Sequence, residues 1–379
     1  MIAALFSVAF RPFFLGAAWL SVVWMGVWIA LLVYGVGTTA PIPPMLWHGH
    51  EMLFGFAMAI IGGFVLTAVQ NWTGRQSVSQ RELVFLVTLW FGARLGFLMP
   101  WLIPIWLTSV LDIAFLPVLG WFLARTLLAA DNRRNYAFIP LLAAFSLLNL
   151  AVHLDIHGLQ PGWGAPALDL TMLLITVLLV FMGGRVIPFF TERGVTGSSP
   201  VQWTTLNWCS TLATLLVVPL YLLAGRDVML APILFAAAGL TLLRWLAWKP
   251  WQVWRTPLVW ILHAGYLWLP IGLTLLGLHL AGAGVAWSAG LHALMVGAMG
   301  SLCLGMMARV SLGHTGRPLV VPWLVTAGFC LITLAALARL GIAVFETMPW
   351  LVGLSGAAWA LAYLCYALYY TPILLRPRL

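Results

Sequence analysis

Charge is what this sequence has least of. Lys, Arg, Asp and Glu make up 7% of its 379 residues, and Lys249 is the only lysine. A soluble domain carries about 25% charged residues, so an ordinary water-facing surface is excluded. Long polar stretches are missing too, and with them any region that would fold as a separate soluble domain. Cysteine is scarce: Cys209, Cys303, Cys330 and Cys365 all fall inside apolar runs with no CxxC spacing. A disulfide framework or a thiolate metal site is therefore not expected, and small packing residues are the plain reading. No small-residue cleavage pattern follows the first apolar run, so the N-terminus does not read as a cleavable signal.

What is present is apolar: 63% hydrophobic residues, with 22 Trp. Lipid solvates such a surface and water does not. The formal charge of +9 would suit a nucleic acid, but the basic residues recur singly or in pairs between apolar runs, so no nucleic-acid partner is expected. A span needs about 20 apolar residues. Runs of that kind lie near 13–35, 50–70, 83–100, 104–128, 137–153, 167–187, 203–223, 229–248, 257–280, 286–308, 320–342 and 347–370. The expected fold is all-α: a polytopic membrane bundle of about twelve transmembrane helices, one transmembrane domain over 1–379. The linkers are short, as from Gly158 to Pro166, and Pro100 to Pro104 reads as a tight helical hairpin. No internal repeat is evident, which leaves an inverted-repeat transporter without support.

Basic residues set the orientation. With the N-terminal side taken as inside, 15 of the 18 Lys and Arg fall inside, leaving Arg226, Arg339 and the intramembrane Arg94. Both termini are therefore expected to be cytoplasmic.

Ionisable groups within a membrane are costly and point to function. His48 and His50 open the second run, His153 and His157 close the fifth, His279 closes the ninth, and His292 lies inside the tenth. On that orientation all six sit towards the outside, joined by Glu51, Asp155 and Asp169. Imidazole is the commonest side-chain ligand for haem iron, copper and zinc, and a helical bundle builds such a site from several helices. Metal ligation is accordingly expected of His48, His50, His153 and His292. His48 and His50 are separated by about 200° of helical rotation, so a continuous helix cannot turn both to one ion. Glu51 is placed to orient a histidine or carry protons. For His157 and His279 the plain reading, a solvated histidine at a helix end, is preferred. His263 lies within the membrane and needs at least a backbone partner. Arg185 and Arg309 end their spans on the inside. Topology anchoring suffices for most arginines, but these two could also hold an anion such as a haem propionate. A thioether copper site at Met299, Met306 or Met307 is the lesser reading of a stripe that fits tight helix packing.

Several blocks resemble the NnrS family. They are Phe10 to Phe14, Trp47 to Gly55 running on to Thr67-Ala68 and Asn71 to Gly74, Arg185 to Thr191, His292-Ala293-Leu294 with Gly297 and Gly300, and Met307 to Arg317. They span nearly the whole chain in order. Gly49 stands where the family more often has Ala, and Gln70 where Pro is common. The resemblance implies a bacterial inner-membrane protein of the nitric-oxide response, often accompanying denitrification and associated with haem, expected as b-type, and copper. It carries over to His48, His50, Glu51, His263, His292, Arg309 and His314. The expected ligand is nitric oxide or a similar diatomic. An oxidoreductase like nitric-oxide reductase would draw electrons from a quinol or a cytochrome, since no CxxCH motif is present, with Glu51, Asp155 and Asp169 as proton-path candidates. The competing readings are a metal-handling or small-solute transporter without haem, and a structural assembly subunit.

Overall fold

A computed structural model describes residues 2–35, 42–344, 348 and 350–379; of the twelve runs, only 347–370 touches residues outside that set. All regular structure among the described residues is helical. A helix satisfies its own backbone polar groups, which lipid cannot do for it. The long helices are α1 (Phe10–Tyr34), α2 (Pro44–Thr73), α3 (Gln80–Leu98), α4 (Ile105–Ala129), α5 (Phe138–Ile156), α6 (Gly164–Gly194), α7 (Thr204–Ala224), α8 (Ala231–Ala247), α9 (Pro257–Leu280), α10 (Trp287–His314), α11 (Trp323–Val344) and α12 (Trp350–Leu374). Eleven are long and apolar enough to cross a membrane. The exception is α3, which carries Arg81, Glu82 and Arg94. It opens on a capping box, in which the backbone N–H of Glu82 donates to Ser79 Oγ and that of Ser79 to the Glu82 carboxylate. The α3–α4 turn falls where the sequence places a hairpin, and Trp101, Leu102 and Trp106 around it are exposed, as lipid-facing side chains should be.

The helices form two compact units, Met1–Thr171 with Tyr370–Leu379, and Met172–Tyr369. In the first, Arg11 is buried and donates to the carbonyls of Leu374 and Arg376, 2.9 and 2.6 Å away. That arginine of the Phe10–Phe14 block thus ties the two chain ends together. Thr67 Oγ1 accepts the Phe10 N–H at 3.1 Å.

Two helices contain a π-helical stretch, and each begins one residue after a histidine of the motifs. In α2 it covers Glu51–Ala57 after His50, and in α10 it covers Ala293–Gly300 after His292. A glycine stands five residues beyond each histidine, Gly55 and Gly297, and Thr-Gly-Arg follows at the same interval, 50 to 73 and 292 to 315. The sequence reading found no internal repeat; this one is a spaced pattern on an apolar background, and the shared π-turn brings it out. π-Turns are rare and concentrate at functional sites. Each carbonyl strand here is braced by an aromatic donor from a neighbouring helix: Trp90 Nε1–H to Gly55 O at 2.8 Å, and Tyr363 O–H to Gly300 O at 2.9 Å.

Candidate functional site

In the first unit, α1 to α5 bury a cluster of charged side chains. The π-turn brings Glu51 back beside its own neighbour, so Glu51 Oε1 lies 3.0 Å from His50 Nδ1. Gly55 leaves the space that lets Arg94 in: a Cβ there would sit 2.6 Å from Arg94 Nη1. Arg94 forms ion pairs with Glu51 Oε1 at 3.0 Å and with Asp112 of α4. Close approach of α3 and α4 depends on Gly96, whose missing side chain is replaced by Thr108. Asp112 Oδ2 is the hub. It accepts from Asn149 Nδ2 at 2.8 Å and faces His153 Nε2 at 2.9 Å and His50 Nε2 at 3.1 Å. Trp24 Nε1–H donates to Glu51 Oε2 at 2.5 Å. All these groups are buried.

Charge and hydrogen-bond counts agree on the state of this cluster. Two carboxylates and one guanidinium leave a net charge of −1 when both imidazoles are neutral. A neutral His50 owns one ring proton but faces a carboxylate at each nitrogen. A proton in transit through His50 would satisfy both counts for as long as it stays there.

His50, Asp112 and His153 also offer three ligand atoms within 4.8 Å of one another, a donor set with the spacing of a metal site. Two features of the structure oppose that use. Arg94 already occupies the cation's place beside Asp112 and Glu51, and every ring nitrogen of His50 and His153 already has a hydrogen-bond partner. The rings of His50 and His153 are 5.3 Å apart, edge to face, and both turn to the same carboxylate oxygen, so a porphyrin does not fit between them.

The other candidates lie elsewhere. His48 turns away from His50 and stacks on Trp28, with centroids 4.1 Å apart and planes 8° from parallel. Asp155 accepts the backbone N–H groups of Gly162 and Gly164 and so shapes a loop. Asp169 is buried. Arg94, Asp112, Asn149, Ser109 and Trp24 escaped the sequence reading. Arg94 and Asp112 were detectable as intramembrane charges at similar distances on either side of the Pro100–Pro104 hairpin.

The second unit treats its charges differently. Arg244 of α8 is buried and donates only to neutral oxygens: Tyr266 Oη, Val180 O and Asn207 O. Arg309 of α10 is nine-tenths buried, with its guanidinium 3.9 Å from the centre of the Phe190 ring. Neither has a carboxylate partner among the described residues. His263 Nε2 pairs with Thr191 Oγ1 at 2.8 Å, next to Phe190, while its Nδ1 is buried with no hydrogen-bond partner among the described residues. His292 Nδ1 lies 2.6 Å from Ser288 O, one turn back on its own helix. Arg185 lies over Phe181 at 5.3 Å, and His314 is half-buried at the end of α10.

No curated protein matches the chain. A family model described as NnrS protein matches residues 4–378, nearly the whole length. With that match, eleven helices able to cross a bilayer and a buried His/Asp/His cluster, the chain is a multi-pass membrane protein that belongs to the NnrS family, whose members serve the response to nitric oxide.

Proposed function

We propose that this protein binds nitric oxide at a haem held by its second unit and reduces it, in the inner membrane of a bacterium. The observation that carries the reading is the uncompensated charge of that unit. A buried cation without a counter-ion costs several kcal/mol. Arg244 and Arg309 are two such cations, and haem brings two propionates. His263, with a buried nitrogen left over, would be the best suited of the histidines to hold the haem iron, and Arg309 would be the best suited to hold a propionate. His48, His292 and His314 keep the roles that the family resemblance implies for them only as second candidates, as does Arg185 the anion-holding role that its position suggests.

Bound haem would supply the iron at which nitric oxide coordinates and gains electrons. The chain's own residues would do the rest. Apolar helix faces admit a small neutral ligand from lipid without a channel. Glu51 would carry protons. A quinol or a cytochrome would supply electrons. Copper fits less well, because its most favourable donor set among the described residues is the one that Arg94 opposes.

The test is the optical spectrum of the purified, dithionite-reduced protein with and without nitric oxide, beside Arg309→Gln. A Soret band that shifts with nitric oxide, and a lower haem content in Arg309→Gln, are expected. A colourless protein would overturn the reading in favour of a haem-free transporter.

A further inference from the structure

We propose that His157, Ser109, His153, Asp112 and His50 form a proton relay that leads from the edge of the first unit to Glu51. Its use in turnover rests on the reading that nitric oxide is reduced; its existence does not.

The relay is continuous. His157, exposed at the C-terminal end of α5, has Nε2 2.9 Å from Ser109 Oγ. Ser109 Oγ is 2.9 Å from His153 Nδ1, and His153 Nε2 is 2.9 Å from Asp112 Oδ2. The same oxygen is 3.1 Å from His50 Nε2, and His50 Nδ1 is 3.0 Å from Glu51 Oε1. Every link is of hydrogen-bond length; each imidazole can accept a proton at one nitrogen and release one at the other, and Ser109 Oγ and Asp112 Oδ2 can each take a proton from one neighbour and give one to the next. Chains of Asp, Glu and His are what membrane proteins use to move protons through a low-dielectric interior. A purely structural cluster needs no branch to solvent. Here Ser109 supplies one, since its hydroxyl lies between a buried histidine and an exposed one.

The steps balance. A proton taken up at His157 Nδ1 releases the Nε2 proton to Ser109 Oγ, whose own proton passes to His153 Nδ1. His153 gives its Nε2 proton to Asp112 Oδ2. Asp112 passes it to His50 Nε2 as the Nδ1 proton of His50 moves to Glu51. One proton enters and one arrives, only N–H and O–H bonds change, and no electron moves. The remaining neighbours bear on the relay without joining it. Arg94 faces both carboxylates, Asn149 holds Asp112 and His50, and Trp24 holds the far oxygen of Glu51. Asp155, two residues before His157, is turned to the Gly162 and Gly164 backbone.

The experiment is a pH jump on the full-length protein in detergent, followed by the infrared carboxyl band assigned to Glu51 through Glu51→Gln. Ser109→Ala removes one hydroxyl and leaves the helix packing in place. It is expected to slow the rise of the band by about tenfold or more. His157→Ala should slow it similarly, and added imidazole should restore the rate in His157→Ala but not in Ser109→Ala. Unchanged rates in both variants, or no Glu51 band after the jump, would overturn the relay. So would metal that co-purifies with the wild type and is lost in His50→Ala. Failure of the protein to consume nitric oxide, with the band kinetics as expected, would remove the reductase reading and leave the relay standing.

Discussion

The two units place a π-turn after a histidine and bury arginines, yet they differ in how the charge is met. Around the turn at Glu51–Ala57, Arg94 has two carboxylates, two imidazoles and an amide within one network. Around the turn at Ala293–Gly300 the contacts are aromatic and uncharged: Gly297 presses on Trp268, Gly300 on Trp359, and Tyr363 O–H donates to Gly300 O. The buried guanidiniums of that unit, Arg244 and Arg309, meet neutral oxygens and an aromatic face. The first unit meets its buried cation with carboxylates of its own, the arrangement on which the proposed proton relay is built. The second unit leaves Arg244 and Arg309 without a carboxylate among the described residues, which is the basis of the proposal that it receives an anion.

The strongest way to break this comparison is to remove an arginine from each side. Arg94→Leu strands Glu51 and Asp112 in the interior and should cost about 3–5 kcal/mol of stability, read as detergent-solubilised thermal or denaturant unfolding. Arg309→Gln should leave the haem-free protein at least as stable as the wild type, because it removes an uncompensated buried charge and loses only the Phe190 contact. Equal losses would show that Arg309 has an anionic partner within the chain.

Smaller changes sharpen the contrast. Gly55→Ala puts a methyl group against Arg94 Nη1, and Gly297→Ala puts one against Trp268. Both should destabilise by about 1–3 kcal/mol as overpacking. Only Gly55→Ala should also change the Glu51 infrared band; an unchanged band would separate Gly55 from the cluster. The smallest effect belongs to the π-turn brace. Tyr363→Phe frees the Gly300 carbonyl and should cost about 1 kcal/mol in unfolding.

The architecture was largely legible in the sequence, because lipid demands runs of a fixed length and their ends carry Trp, Pro and Arg. The separation of His48 from His50 was legible as well, since two residues of helix turn them apart, and the structure sends one to Trp28 and the other inward. Glu51 stood out as a carboxylate in an apolar run. Its partners did not. Arg94 reads as one more arginine in a span, and Asp112 is one residue in a run that otherwise reads as an ordinary helix. What joins them is the α3–α4 hairpin and the absent side chains of Gly55 and Gly96, and side-chain space is invisible to hydropathy. The open charges of Arg244 and Arg309 were hidden for a related reason: a basic residue at the end of a span looks the same whether or not an acid lies beside it.

The most direct measurement of the division of labour is the haem content of two variants, His263→Ala and His50→Ala, each purified in the same detergent and read at the Soret band. Loss of the band in His263→Ala with its retention in His50→Ala is the expected result. Loss in His50→Ala with retention in His263→Ala would contradict it and move the cofactor to the charged cluster of the first unit.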